Sequence, residues 1–154
     1  MPEDKQSIID FISEHWGSNL CVSRGKLYDV SLLPGFISKT DAEIHGLITY
    51  RIEKNECEIT TLNSVAEKKG LGTQLINKVI ESAKQNNCNR VWLITTNDNS
   101  HAIRFYQKRG FEWCAFHKDA MLLSRKLKPQ IPLAGMDNIT IKHEIEFELI
   151  LDKE

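Results

Sequence analysis

Hydrophobic and polar positions change rhythm several times along this chain, and each change marks a predicted element. Residues 2–16 repeat apolar side chains at helical spacing (Ile8, Ile9, Phe11, Ile12, Trp16), with Pro2, Glu3 and Asp4 suited to a first turn. Residues 17–34 follow neither period. From Gly35 the period falls to two: GFISK, EIHGLITYRI and CEITTL are separated by the polar turns KTDA and EKNE, as in an antiparallel meander.

Helical spacing returns at Leu71, Leu75, Ile76, Val79, Ile80 and Ala83 and stops at the turn-prone QNNCN. RVWLITT has the continuous apolar centre of a strand covered on both faces. The run NDNS then introduces a short helix, from about Ser100 to Arg109, that Gly110 ends. FEWCAF is a further strand, and DAMLLSRKL a short helix capped by Asp119 before Pro129 and Pro132. At the end, Ile139, Ile141, His143, Ile145, Phe147 and Leu149 alternate with polar residues, predicting a half-buried strand over about 139–151. The order predicts one domain over 1–154: an α/β (α+β) fold with a mixed sheet and helices packed on it.

Composition narrows the possible functions. With 154 residues and 41% hydrophobic content the chain is about one domain long, enough to bury roughly 70% of its unfolded surface. Its 20 basic and 21 acidic residues leave a net charge of -1, so no basic field is available to hold nucleic acid. No apolar run approaches the roughly 20 residues that span a bilayer, and MPEDKQ is not a signal-peptide start, so a soluble cytoplasmic protein without membrane partners is expected. Cys21, Cys57, Cys88 and Cys114 show no CxxC pair, which predicts reduced, mostly buried thiols. His15, His45, His101, His117 and His143 show no metal-site spacing, so no metal is expected.

The chemistry concentrates at KKGLGTQL, where Gly70 and Gly72 open a helix. Glycine costs about 1 kcal/mol per helical position relative to alanine. Two readings account for it: a tight turn, or a helix start whose bare backbone N–H groups meet an anion, with Lys68 and Lys69 adding charge. A P-loop string is absent, and a dinucleotide fingerprint would need glycine or alanine where Leu75 stands.

Taken with NDNSHAIRFYQKRGFE about thirty residues downstream, the loop resembles the GNAT superfamily of acetyl-CoA-dependent N-acetyltransferases over roughly residues 36–116. That family has a Q/R-x-x-G-x-G/A loop and an N-x-x-A-x-x-F-Y-x-x-x-G-F helix. Here the loop runs from Glu67 through Lys68, Lys69, Gly70 and Leu71 to Gly72, and the helix supplies Asn99, Ala102, Phe105, Tyr106, Gly110 and Phe111. Glu67 departs from the loop pattern, and a helix stands where the family usually begins with a strand.

The resemblance implies a mixed, mostly antiparallel sheet flanked by helices, and acetyl-CoA as cosubstrate. It implies a pyrophosphate on the loop from Lys68 to Thr73, and a pantetheine arm along Leu62, Asn63, Asn99, Ala102, Phe105 and Tyr106. Tyr106 would serve the leaving thiolate, and Glu58, with Glu56 on the same strand face, is the candidate base. Lys108 is a further candidate near the adenosine phosphate. Trp16, Arg24, Tyr28 and Trp113 would face the acceptor, a small-molecule or peptide amine, and a homodimer is compatible with this reading. Two alternatives stand beside it: a noncatalytic acyl-CoA sensor on the same fold, and an interaction domain in which KKGLG is only a turn.

Overall fold

The computed structural model describes residues 20–23, 26–29, 33–40, 43–64, 70–129 and 131–151. The expected first helix, 2–16, lies outside them. A hairpin of β1 (Leu20–Ser23) and β2 (Lys26–Asp29) occupies part of the stretch left unassigned from sequence. The meander follows as expected: β3 (Gly35–Thr40), β4 (Glu43–Glu53) and β5 (Glu56–Ser64) pair antiparallel in turn. Then come helix α1 (Leu71–Gln85), β6 (Arg90–Thr96), helix α2 (Ser100–Lys108), β7 (Glu112–His117), helix α3 (Ala120–Leu127) and β8 (Glu144–Ile150).

The main sheet has six strands in the order β3-β4-β5-β6-β8-β7. Every neighbouring pair is antiparallel except β5 and β6, which α1 joins by a parallel crossover. One sheet face carries Ile48, Cys57, Ile59, Val91, Leu93, Ile145 and Phe147 into a cluster with Leu71, Leu75, Ile76, Val79 and Ala83 of α1 and Tyr106 of α2. Each such burial stabilises the fold by about 1.5–3 kcal/mol for the larger aliphatic and aromatic side chains. α1 is thereby clamped across the parallel pair.

That pair is short. β5 and β6 match only at Glu56–Arg90, Cys57–Val91 and Glu58–Trp92. Just beyond, β5 carries an extra residue: Thr49 of β4 faces Thr61 while Tyr50 faces Ile59, leaving Thr60 as a bulge. Thr49 Oγ1 holds this kink through hydrogen bonds to the hydroxyls of Thr60 and Thr61, both 2.7 Å. A bulge bends its strand, and here the bend coincides with the parting of β5 from β6. The gap therefore opens at the carboxyl ends of the two parallel strands.

The structure corrects three expectations and bears on a fourth. The final strand starts at Glu144 rather than 139, because Asn97 captures the backbone before it: Asn97 Oδ1 accepts from the N–H groups of Lys142 and His143, both 2.9 Å, and its amide donates to Thr140 O. β8 is also not half-buried. It lies between β6 and β7, and its polar-side residues Glu144 and Glu146 are 5% and 3% exposed. Asp119 precedes α3 with a left-handed φ of 57° and makes no side-chain cap; its N–H instead donates to His143 Nδ1 at 2.8 Å. Cys57 and Cys88 are buried free thiols as expected, Cys57 being pushed up to about 12 by burial, but Cys114 is exposed.

Candidate functional site at the splayed strands

Where β5 and β6 part, the N-termini of α1 and α2 converge on a cavity of about 820 Å³. β5 contributes Leu62 and Asn63 beyond the bulge, where no residue of β5 pairs with β6. Backbone amides along that edge are placed to bond an extended ligand as a further strand would. α1 contributes Gly70, Gly72 and Thr73.

Gly70 is the N-cap of α1, with φ of 87° and no side-chain cap on the helix start. The left-handed φ explains the glycine, and a start without a side-chain cap is the form suited to an anion. Gly72 has a different reason. A Cβ there would lie 3.1 Å from Phe105 Cζ, so the glycine lets α2 come close against α1.

α2 adds Asn99, His101, Ala102, Arg104, Phe105, Tyr106 and the following Arg109. Asn99 Oδ1 caps the helix by accepting from Ala102 N at 3.1 Å. Arg109 joins the two helices: Nε donates to Thr73 Oγ1 at 2.8 Å, Nη1 donates to Phe105 O at 3.1 Å, and the guanidinium lies 3.8 Å from the Phe105 ring centroid. Among the described residues Arg104 and Arg109 give the cavity its positive charge; Lys108, expected from sequence near the adenosine phosphate, is exposed and outside the lining. The signal for Arg109 was legible as one helical stripe, 102, 105, 106 and 109.

Tyr106 is 7% exposed, packed against Phe105, Phe111 and Phe147, and reaches the cavity. Its hydroxyl makes no hydrogen bond among the described residues. Burial pushes its pKa well above the usual tyrosine value, so the phenol is a standing donor at neutral pH. A loop completes the wall with Met136, whose N–H donates to the buried Asp98 at 3.2 Å. Gly135 is needed there, since a Cβ would lie 2.0 Å from Asp98 Oδ2.

Other sequence candidates are placed elsewhere. Glu58 is 2% exposed, outside the cavity lining, and ion-paired with Arg51 Nε at 2.9 Å. Glu56 pairs with Arg90 at 3.1 Å. Leu71 is a core residue of α1. Trp113 is 52% exposed on the edge strand β7, against Phe147. Tyr28 belongs to β2, where it pairs with Cys21, and its side chain lies outside the described residues, as do Trp16, Arg24, Glu67, Lys68 and Lys69.

Comparison with known proteins agrees with this architecture. The model of the acetyltransferase (GNAT) family matches residues 21–111. The chain is 43% identical over 150 residues to the uncharacterized protein YdhI of Bacillus subtilis (strain 168), covering 96% of this chain and 93% of YdhI. It is 42% identical to YxbD of the same organism over 142 residues, covering 92% and 89%. Among solved structures, a Bacillus subtilis acetyltransferase in complex with CoA superposes with a TM-score of 0.64 at 22% identity, covering 92% of this chain and 83% of that one. The ribosomal-protein-alanine N-acetyltransferase of Brucella melitensis superposes with a TM-score of 0.67 at 14% identity, covering 98% and 96%. The chain belongs to the GNAT family of acetyltransferases.

Proposed function

We propose that this protein binds acetyl-CoA in the cavity between β5 and β6 and transfers its acetyl group to a primary amine by direct attack. The carrying observation is the convergence at one cavity of an α1 start without a side-chain cap, the stretch of β5 beyond its pairing with β6, and Tyr106. The diphosphate meets the first turn of α1 beside Gly70 and Gly72, with Arg104 and Arg109 contributing charge. The pantetheine amides run along Leu62 and Asn63 as an added strand. The thioester then lies near Tyr106, whose phenol donates a hydrogen bond to the departing thiolate. Because burial raises the Tyr106 pKa, stabilisation by that bond is favoured over full proton transfer. CoA and acetyl-CoA complexes of structural neighbours from Bacillus subtilis and Elizabethkingia anophelis support the choice of ligand.

Thermal denaturation with acetyl-CoA tests the binding step. At ligand about 100 times its dissociation constant, stabilisation is about 2.7 kcal/mol, roughly 5–10 °C for a chain of this length. No shift at millimolar acetyl-CoA would refute the proposal. With binding established, thiol release against a panel of small amines, amino acids and peptides is expected to show turnover. Binding without turnover by any of them would point to the noncatalytic sensor instead.

A further inference from the structure

The sheet face turned away from α1 carries a group of carboxylates. β8 sends Ile145 and Phe147 into the core, so by alternation Glu144, Glu146 and Glu148 point the other way. β5 sends Glu56 and Glu58 to that same face. Four of these five have basic partners: Glu58 binds Arg51, and Arg90 binds Glu56, Glu146 and Glu148 at 3.1, 3.0 and 2.9 Å. Glu146 also meets His117 Nε2 at 3.2 Å.

Glu144 is the exception. It is 5% exposed, yet its carboxylate makes no hydrogen bond or ion pair among the described residues. Stranding a carboxylate in this way carries a substantial desolvation cost, and uncompensated buried charge is a recurring mark of functional sites. Its position matters equally. Glu144 is opposite Thr96 in the register, at the carboxyl end of β6 where that strand has left β5. Like Glu58 it lies outside the lining of the cavity that Tyr106 helps to form, but its register places it on the opposite sheet face beside the end of β6 that has parted from β5.

We infer that Glu144 is the proton acceptor for the incoming amine, which approaches the gap as a cation from the face opposite α1. The inference rests on the proposed acetyl transfer. Glu58, the candidate from sequence, is ion-paired with Arg51, and its negative charge acts on Glu144. The charged groups acting on Glu144 are Glu58 of β5 and His117 of β7, with Glu146 two residues along its own strand; β6 offers Thr96 opposite it, and the neighbouring His143 packs instead against Phe116. Burial raises the Glu144 pKa, His117 works against that, and Glu58 adds to it. A carboxylate raised above its ordinary value is a stronger proton acceptor than a solvated one.

In the step itself, an ammonium gives one proton to Glu144, directly or through a bridging water. The neutral nitrogen attacks the thioester carbon, and the N–C bond forms as the C–S bond breaks. The nitrogen's second proton ends on the sulfur, whose developing charge Tyr106 holds by its hydrogen bond. Glu144 then releases its proton to water, so that amide, free thiol and one proton are the products.

The test compares wild type, Glu144→Gln and Glu144→Asp in acetyl-CoA binding and in thiol release, with benzylamine and with water alone as acceptors, across pH. Glu144→Gln is expected to keep acetyl-CoA affinity, lose about 10²-fold in turnover at neutral pH, and lose the acid limb of the kcat/KM profile. Glu144→Asp is expected to restore that limb. A Glu144→Gln enzyme with unchanged rate and profile overturns the inference. Infrared titration of the acetyl-CoA-bound wild type supplies a second measurement that needs no turnover by either probe and no folded glutamine variant. A protonated carboxyl band is expected to persist above the ordinary glutamate value of 4.5, to be absent from Glu144→Gln where that variant folds, and otherwise to change in Glu144→Asp. Absence of the band overturns the assignment. Failure of the wild type to bind acetyl-CoA would instead refute the proposed function.

Discussion

Alanine at Gly70 and at Gly72 is the same chemical change two residues apart, and the structure assigns the two substitutions different effects on stability. At Gly70 the backbone φ is 87°, where an L-residue costs about 1–2 kcal/mol. Lower unfolded-state entropy returns about 0.5 kcal/mol of that, leaving about 1 kcal/mol. With an unfolding entropy of about 2.1 cal/mol/K per residue over 154 residues, the melting temperature should fall by about 3 °C. At Gly72, inside α1, alanine gains about 1 kcal/mol of helix propensity and gives it back against Phe105, 3.1 Å from the added carbon, so stability should stay within about 2 °C of wild type. Binding is expected to suffer in both. The Gly70 methyl enters open space at the cavity rim, where loss of one charge-assisted backbone hydrogen bond of about 1.5 kcal/mol weakens acetyl-CoA binding about tenfold. The Gly72 methyl displaces Phe105 and with it the Arg109 guanidinium stacked on that ring. Differential scanning fluorimetry and calorimetric titration with acetyl-CoA measure both quantities. If Gly70→Ala melts with wild type, the left-handed cap is not what the glycine serves; if both variants bind acetyl-CoA normally, the diphosphate does not sit at this helix start.

Tyr106→Phe is expected to lower turnover about 10²-fold while leaving acetyl-CoA affinity nearly intact, because the ring stays packed and only the hydroxyl is lost; single-turnover thiol release reads this, and an unchanged chemical rate removes Tyr106 from the mechanism. Asn99→Ala should cost about 1 kcal/mol, roughly 3 °C, through the lost cap to Ala102, whereas Asn99→Asp keeps the cap and the stability; equal melting of all three proteins would show that the side chain does not cap α2. Since Glu144 has a folded-state pKa above 4.5, its ionisation costs stability above that folded value and nothing below the unfolded one. Glu144→Gln should therefore melt above wild type at pH 8 and converge with it as pH falls toward 4.5; a difference that grows on acidification would reverse the assigned direction.

The parts of the fold legible in sequence were those where one residue pattern had one outcome. α1 and α2 were readable because apolar positions recur at helical spacing between clear stops, and the glycines and Asn99 were readable because helix ends have few chemical solutions. What escaped depended on distant contacts. The alternation at Ile139, Ile141 and His143 was genuine, but Asn97, more than forty residues earlier, took the backbone hydrogen bonds a strand would need. β1 and β2 are four residues each and carry too little pattern to declare themselves. Glu58 and Glu144 look alike on paper, as acids on alternating strands; only the placement of Arg51 distinguishes the ion-paired carboxylate from the stranded one.

The bulge at Thr60 bears on how this chain tolerates changes in its length. Loops accept insertions and deletions because their ends need only meet, but β5 between Ile59 and Leu62 is counting residues. Deleting Thr60 would restore unbroken alternation with β4, leave Asn63 opposite Leu47, remove the bend, and let β5 continue along β6. The cavity would then be zipped into continuous sheet without one of its lining side chains having been altered. Single-residue deletions at this point are thus expected to abolish ligand binding more completely than any side-chain substitution in the cavity wall.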